Sequence, residues 1–353
     1  MWPSLTPIAR GSEVTGSRLK GDSFTIRGTE GGLLAASSGA YTATSIQHLS
    51  EPGHLGSLTE AHNCVKMTDN IFLFEGIQML SDFLSVESLS FAQNFLVKDD
   101  DVIIVSYPRS GTHWMIEMVS LIVSKGDPTW VQTVKNFARS PGLESKDEQK
   151  LLLDLAGPRL MSTHLPIQLF PKSYFTSSAK VIYVIRNPRD VATSSYHIVN
   201  DFNLLNSQQT FDEYLHAFIQ GDVIFGSWFD HTLGWLTRRD TENFLLMSYE
   251  ELQRDLRRST QKVCQFLGKY LTPVQLDSAV QNLSFSVMKE NSMSNSIMLR
   301  NPKDGTVSNI PLLRKGICGD WKNIFTVAQS EAFDKVYQEK MSMLDPGLFP
   351  WSA

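Results

Sequence analysis

Three features of the 353-residue chain predict an α/β fold, a single domain with a mostly parallel central sheet flanked by helices. Short, mostly apolar runs of strand length recur at Val102–Val105, Arg159–Ser162, Val181–Ile185 and Phe244–Met247. They are continuous rather than alternating, the pattern of strands buried on both faces. Helical patterns lie between them, at Trp114–Val123, Phe211–Ile219 and Leu252–Leu267, and such alternation calls for parallel strands joined by crossover helices. An apolar content of 42% is enough for the core this fold needs. Ligands in open α/β sheets collect at the carboxyl ends of the strands, so function is expected in the residues that follow each run.

Residues 1–66 read differently. Gly, Ser and Thr make up 25 of the 66, and five basic residues face five acidic ones. So little apolar surface cannot offset the entropy of ordering, and the segment is expected to be a low-complexity, disordered extension. A Ser-rich transit peptide is the alternative; Arg10, Arg18 and Arg27 favour it, while Glu13, Asp22 and Glu30 oppose it. The domain itself is expected over residues 67–353, from Met67 just ahead of the first dense apolar segment.

Composition narrows the function classes. A net charge of −5 argues against nucleic acid as a partner. Cys64, Cys264 and Cys318 have neither CxxC spacing nor zinc-ligand spacing, which fits a reducing compartment and no metal. No apolar run approaches the ~18 residues of a membrane span. The start, Met1-Trp2-Pro3-Ser4, lacks the basic and apolar regions of a secretory signal. A cytoplasmic protein is the expectation.

The first strand run leads into Tyr107-Pro108-Arg109-Ser110-Gly111-Thr112-His113-Trp114 and then into a helical pattern. Strand, tight glycine turn and helix present backbone N–H groups and a helix N-terminus to a phosphate. The loop lacks the second glycine and the Lys of a Walker A sequence. Instead Gly111 is flanked by the hydroxyls of Ser110 and Thr112, with a cation at Arg109 and an aromatic ring at Trp114. That combination suits a nucleotide held by its 5′ phosphate with a base stacked nearby. Taken alone, an ordinary strand-to-helix turn with an incidental Arg explains it equally well.

The second run ends at Ser162-Thr163-His164-Leu165-Pro166. A neutral imidazole at a strand end can take a proton from an alcohol without an elaborate relay, which makes His164 the candidate base. His113, His197, His216 and His231 are read as structural or substrate-lining. The third run leads into Arg186-Asn187-Pro188-Arg189-Asp190, with Ser194 about two turns into the helix that Pro188 opens. Arg186 and Ser194 form a second candidate anion site, although pairing of the Arg with Asp190 is the simpler use of it. Downstream, Arg314-Lys315-Gly316 offers two cations before a glycine, and Leu283-Ser284-Phe285 offers a ring to face Trp114 across an adenine.

With these blocks assembled, the chain resembles the cytosolic sulfotransferases. Tyr107–Trp114, Thr163–Pro166, Arg186–Ser194, Ser248-Tyr249-Glu250-Glu251 and Arg314–Trp321 follow the family's order and spacing, and the resemblance runs from about Asp69 to Trp351. Within the family the hydroxysteroid (alcohol) branch is most similar, as in Leu165–Pro171, Gly226–His231 and Phe325–Gln329. The resemblance implies a P-loop-like nucleotide-binding core. It also implies transfer of a sulfuryl group from 3′-phosphoadenosine 5′-phosphosulfate (PAPS) to a steroid or sterol-like hydroxyl. Carried over by position, Arg109, Ser110, Gly111, Thr112, His113 and Trp114 hold the 5′ phosphosulfate. Arg186, Ser194, Arg314, Lys315 and Gly316 hold the 3′ phosphate. Trp114, Tyr249, Ser284 and Phe285 border the adenine, with His164 as catalytic base and Arg109 as catalytic cation. Lys322, Thr326-Val327 and Glu331 match the family's dimerisation signature, which implies a weak homodimer. No metal is required, because cations and amides supply the charge stabilisation.

Three departures from the family pattern stand out. Arg109 replaces a catalytic Lys, Leu283 replaces a cofactor-touching Thr or Ser, and Phe137–Gly142 replaces a stretch that carries two pocket tryptophans. They keep two alternatives open: a nucleotide-binding protein of this fold with little turnover, and a sulfotransferase for other small hydroxylated or phenolic acceptors. A P-loop kinase is excluded by the missing GK[ST] and the missing acidic strand end for magnesium. Ile71–Leu80 and Ile297–Leu299 are expected to wall an apolar acceptor pocket.

Overall fold

The computed structural model describes residues 64–68, 70–205, 208–300, 307–345 and 347–351, with the side chains at 64, 65, 297–300 and 307–309 outside the described set. The extension expected to be disordered lies, up to residue 63, outside the described residues. Strand β1 (Cys64–Lys66) pairs antiparallel with β2 (Ile71–Phe74), and β2 with β3 (Ile77–Leu80). Described structure is therefore present three residues ahead of the expected boundary at Met67.

All five residues of β4 (Val102–Ser106) are buried, which requires cover on both faces. It is the second strand of a four-stranded parallel sheet that also holds β5 (Leu160–Thr163), β6 (Lys180–Ile185) and β7 (Phe244–Ser248), in the order β5-β4-β6-β7. Alternate residues feed two cores. Ile103, Val105, Val181 and Tyr183 join Trp228, Phe229 and Trp235 on one face, while Val102, Ile104, Ile182 and Val184 join Met115, Met118 and Val263 on the other. A small antiparallel pair, β8 (Ile297–Arg300) with β9 (Val307–Ile310), stands apart from the central sheet.

The order matters for function. From β4 the chain moves to β5 on one side and then crosses to β6 on the other, so the connections diverge at the carboxyl ends of β4 and β6. That divergence opens a crevice where ligands bind in open α/β sheets.

Local chemistry sets the helix limits. Pro188 opens the helix Pro188–Asp201 behind Asn187, whose side chain caps Arg189 N–H. Thr210 and Glu213 form a reciprocal cap on the helix Phe211–Gln220. The single helix expected over Leu252–Leu267 is instead two, Tyr249–Arg254 and Leu256–Leu267. Asp255 breaks it, at φ −150°, by turning its side chain to cap Arg258 N–H. A short polar side chain competes with the helical backbone in this way.

Candidate active site

At the end of β4 the chain turns sharply. Arg109 lies in the left-handed region at φ 71°, uncommon for a side chain of its size, and Gly111 at φ 112° leads into the helix Thr112–Val123. A Cβ on Gly111 would sit 2.9 Å from the Tyr249 ring, so glycine is needed for packing as well as for conformation. Ser106 Oγ and Thr112 Oγ1 lie 2.6 Å apart and tie the strand end to the helix start. The helix N-terminus faces the turn, as an anion cradle requires.

Four segments distant in sequence converge on this turn. Arg186, at the end of β6, donates to the Arg109 carbonyl (3.0 Å) and the Ile317 carbonyl (3.1 Å), with its guanidinium 4.2 Å from the Tyr249 ring centroid. Arg109 donates through Nε to Ser194 Oγ (3.0 Å) and through NH2 to the Leu312 carbonyl (3.2 Å). Burial, and then the charges of Arg186 and Arg314, push its pKa down to about 10. Among the described residues neither the half-buried Arg109 nor the buried Arg186 has a carboxylate at ion-pair distance, a costly arrangement unless an anion joins them. Ser110 Oγ, Arg186 Nε and Arg314 Nε are buried without a hydrogen-bond partner among the described residues. Donors of this kind, converging from separate loops, fit the phosphates of a nucleotide.

Arg314 and Lys315 both bind Asp320, at 2.6 and 2.7 Å. Burial pushes the Asp320 carboxyl up, but hydrogen bonds from Lys315, Asn323 and Arg314 outweigh it and hold the pKa well below the carboxylate range. Asp190 does not take Arg186, the simpler pairing that the sequence allowed. It accepts from the backbone N–H groups of Gly319 (2.7 Å) and Trp321 (3.0 Å), anchoring the strap that carries the two cations. The sequence gives Asp190 a different partner and gives Asp320 no role, although Gly319-Asp320-Trp321 beside a pair of cations is a usable signal.

The aromatic residues sit where a base can enter. Trp114 meets Tyr249 edge-on at 5.4 Å and donates Nε1–H to the Leu283 carbonyl (3.0 Å). The Leu283 side chain is fully buried in the core, so it offers the cavity nothing polar. Phe285 lies flat enough on the strap that a Cβ on Gly316, at φ 66°, would fall 2.1 Å from its ring. Ser284 Oγ lies 3.5 Å from Ser286 Oγ.

His164 follows β5. Its Nδ1 lies 2.8 Å from the Ser106 carbonyl, which can only accept, so Nδ1 carries a proton and the neutral ring has its lone pair on Nε2. Its backbone N–H donates to Glu144 Oε1 at 2.7 Å, and its ring packs against Phe225 at 5.5 Å. Burial pushes His113 down to about 4 and His231 to about 3; His231 Nδ1 meets the Tyr183 hydroxyl at 3.0 Å inside the core.

One cavity of about 490 Å³ joins these groups. It is lined by Arg109, Gly111, Thr112, His113, Trp114, Arg186, Ser194, Tyr249, Phe285 and the strap Arg314–Gly316, and it continues past His164. There the walls are Leu80, Phe83, Phe137, Leu151, Val199, Leu205 and Phe225, with Glu144 and Glu148 set among them. Of Ile71–Leu80, only Gln78 and Leu80 reach it; strand alternation turns Phe72, Phe74 and Met79 into the core. The side chains of Ile297–Leu299 lie outside the described residues. Phe225, Glu144 and Glu148 went unnoticed in the sequence because nothing around them is patterned.

A family model described as the sulfotransferase domain matches residues 99–345. The chain belongs to the sulfotransferase family. Among similar sulfotransferases is the 3-beta-hydroxysteroid sulfotransferase of Cavia porcellus, 51% identical over 286 residues that cover 81% of this chain and 99% of the relative. Sulfotransferase 2A1 of Macaca fascicularis is 52% identical over 286 residues, covering 81% and 100% of the two chains. A crystal structure of mouse sulfotransferase SULT7A1 complexed with PAP matches with a TM-score of 0.65 and 33% identity, over 77% of this chain and 94% of that one. These matches put the sulfotransferase in the hydroxysteroid branch that its motifs resemble.

Proposed function

We propose that this sulfotransferase moves the sulfuryl group of PAPS to the hydroxyl of a steroid or sterol-like alcohol, with His164 as the base. The observation that carries this reading is the fixed tautomer of His164. The residue lines one cavity, between a cationic end and a largely apolar end. The hydroxysteroid activity named for relatives at about half identity supports the acceptor class.

The roles follow from position. The turn Arg109–Trp114 and the helix behind it take the 5′ phosphosulfate, while Arg186, Ser194 and the strap Arg314–Gly316 take the 3′ phosphate. Trp114, Tyr249 and Phe285 border the base, with Ser284 beside it. PAPS, when bound, supplies the sulfuryl group and a bisphosphate leaving group. His164 Nε2 accepts the acceptor's hydroxyl proton as the new sulfur–oxygen bond forms, and the Ser106 carbonyl steadies the resulting imidazolium through Nδ1–H. Positive charge around the turn stabilises the leaving bisphosphate. Incubation with PAPS and a panel of hydroxysteroids, following bisphosphate release, tests the reading. Release that does not depend on the acceptor would refute it.

Slow turnover is part of the proposal. Arg109 is committed to Ser194 and Leu312, and its planar fork prefers fixed phosphate oxygens to a moving bridging oxygen. We also propose a weak cytoplasmic homodimer through Lys322–Glu331. Lys322, Val327 and Glu331 are exposed on the described surface, Val327 at 76%, as a self-complementary contact needs. Thr326 also caps the helix Val327–Met341, a role it can keep in either state. Val327→Glu should give monomers in sedimentation; an unchanged dimer would move the interface elsewhere.

A further inference from the structure

The strap that carries Arg314, Lys315 and Gly316 has no regular secondary structure from residue 311 to residue 319. No ladder or helix sets its place, so side chains must. Two buried ones grip its ends. At the entry, Asn295 Oδ1 accepts from the backbone N–H groups of Leu312 (2.9 Å) and Leu313 (2.7 Å). Its amide nitrogen donates to the Lys289 carbonyl at 2.8 Å, which fixes the orientation of the group. At the exit, the two oxygens of Asp190 accept one backbone N–H each, from Gly319 and from Trp321. These two residues flank Asp320, whose carboxylate holds both Arg314 and Lys315. The grip of Asp190 is thus passed through Asp320 to the cations.

Asp190 also shares a helix with Ser194, four residues further on in Pro188–Asp201 and so on the same face. One helix face therefore carries both a hydroxyl of the cavity and the clamp on the strap opposite it. Ser194, Arg314, Lys315 and Gly316 line the cavity, whereas Asp190 and Asn295 do not. Both clamps are buried behind the wall that they hold.

We propose that Asp190 and Asn295 are positioning residues for the 3′ phosphate of the co-substrate: they hold the strap against the helix of Ser194 before the nucleotide arrives, and neither touches the nucleotide. The proposal rests on the reading that Arg186, Ser194 and the strap take that phosphate. A loop clamped in its binding geometry is ordered on folding, so the nucleotide does not bear that entropy cost. For Asp190, simple Coulomb attraction and repulsion predict the reverse, because removing a carboxylate near a phosphate should tighten binding. The two effects have opposite signs, and nucleotide affinity decides between them.

The test compares dissociation constants for PAP and for adenosine 5′-monophosphate (AMP), which lacks the 3′ phosphate, by calorimetry on the full-length protein. Their ratio isolates what the 3′ phosphate contributes. Asp190→Ala and Asn295→Ala should each weaken PAP by about tenfold or more, while AMP changes by less than about threefold. Asp190→Asn keeps one acceptor oxygen and should fall between Asp190→Ala and the parent. Retained AMP binding also reports that each variant is folded. An equal loss for both nucleotides, an unchanged ratio or a tighter PAP complex overturns the proposal. Ser194→Ala and Arg314→Ala are measured alongside. If they lower the ratio and the clamp variants do not, the proposal fails alone; if none of these variants moves it, the reading of the 3′-phosphate subsite fails as well.

Discussion

The two ends of the cavity are built on different principles. The nucleotide end is made of strand ends. β4, β6 and β7 deliver Arg109, Arg186 and Tyr249 within a few residues of a regular parallel ladder, so their positions are set by backbone register. The acceptor end draws on longer connecting stretches, such as 140–148 and 222–225, together with single helix residues such as Leu151 and Val199. Its shape depends on side-chain packing and on single contacts such as Glu148 with Gly142. The cationic end is thus set by the parallel ladder, while the acceptor wall is set by side-chain packing. Loops held by a rigid scaffold are where specificity is commonly placed.

His164 stands at the border, and its loss should have the largest effect. His164→Ala should lower kcat by about 10²–10⁴ while PAP affinity stays within about twofold, because the phosphate contacts lie at the other end. A variant within a few-fold of the parent rate would break the division of labour between the two ends. Next comes Arg109. A compact ammonium can follow the bridging oxygen as its bond breaks, so Arg109→Lys should raise kcat by roughly 10- to 100-fold with PAP affinity little changed. An unchanged or lower kcat would mean that the guanidinium is already competent where it stands.

Gly316→Ala sharpens the comparison from the nucleotide side. The new Cβ must displace Phe285, and base stacking on a ring is worth ~1–3 kcal/mol. PAP affinity should fall about tenfold or more in calorimetry, with the preference among acceptors unaltered. A shift in acceptor ranking would show that the ends are coupled.

The smallest effect is on stability. The Glu148 pKa of about 7 is raised above the ~4.3 of a free Glu, so its favourable contribution is present at low pH and is lost as pH rises through 7. Glu148→Gln should therefore raise Tm by a few degrees at pH 8 and change it less at pH 5. Equal changes at both pH values would indicate that the carboxyl is not held out of its usual range.

Much of the nucleotide end was legible in the chain before any coordinates. Continuous apolar runs predicted buried parallel strands, and each strand of the central sheet lies within one residue of its run. Arg109, Gly111, Trp114, His164, Arg186 and Arg314 could be named because they follow strands or sit beside glycines, where local sequence and local geometry coincide. The break at Asp255 was not legible, since the hydrophobic period continues through it and only the capping bond to Arg258 decides the matter.

Sequence alone determined the strands of the central sheet, the turns that follow them and the family, because periodicity and turn chemistry act over a few residues. Tertiary structure decided which nitrogen of His164 bears the proton, through a Ser106 carbonyl 58 residues away in sequence. It assigned Asp190 to the strap rather than to Arg186, turned Arg109 onto Ser194, and set the Glu144 carboxyl beside the base. Each of these is a contact between distant segments whose partner is chosen by packing geometry, and no local pattern encodes that choice.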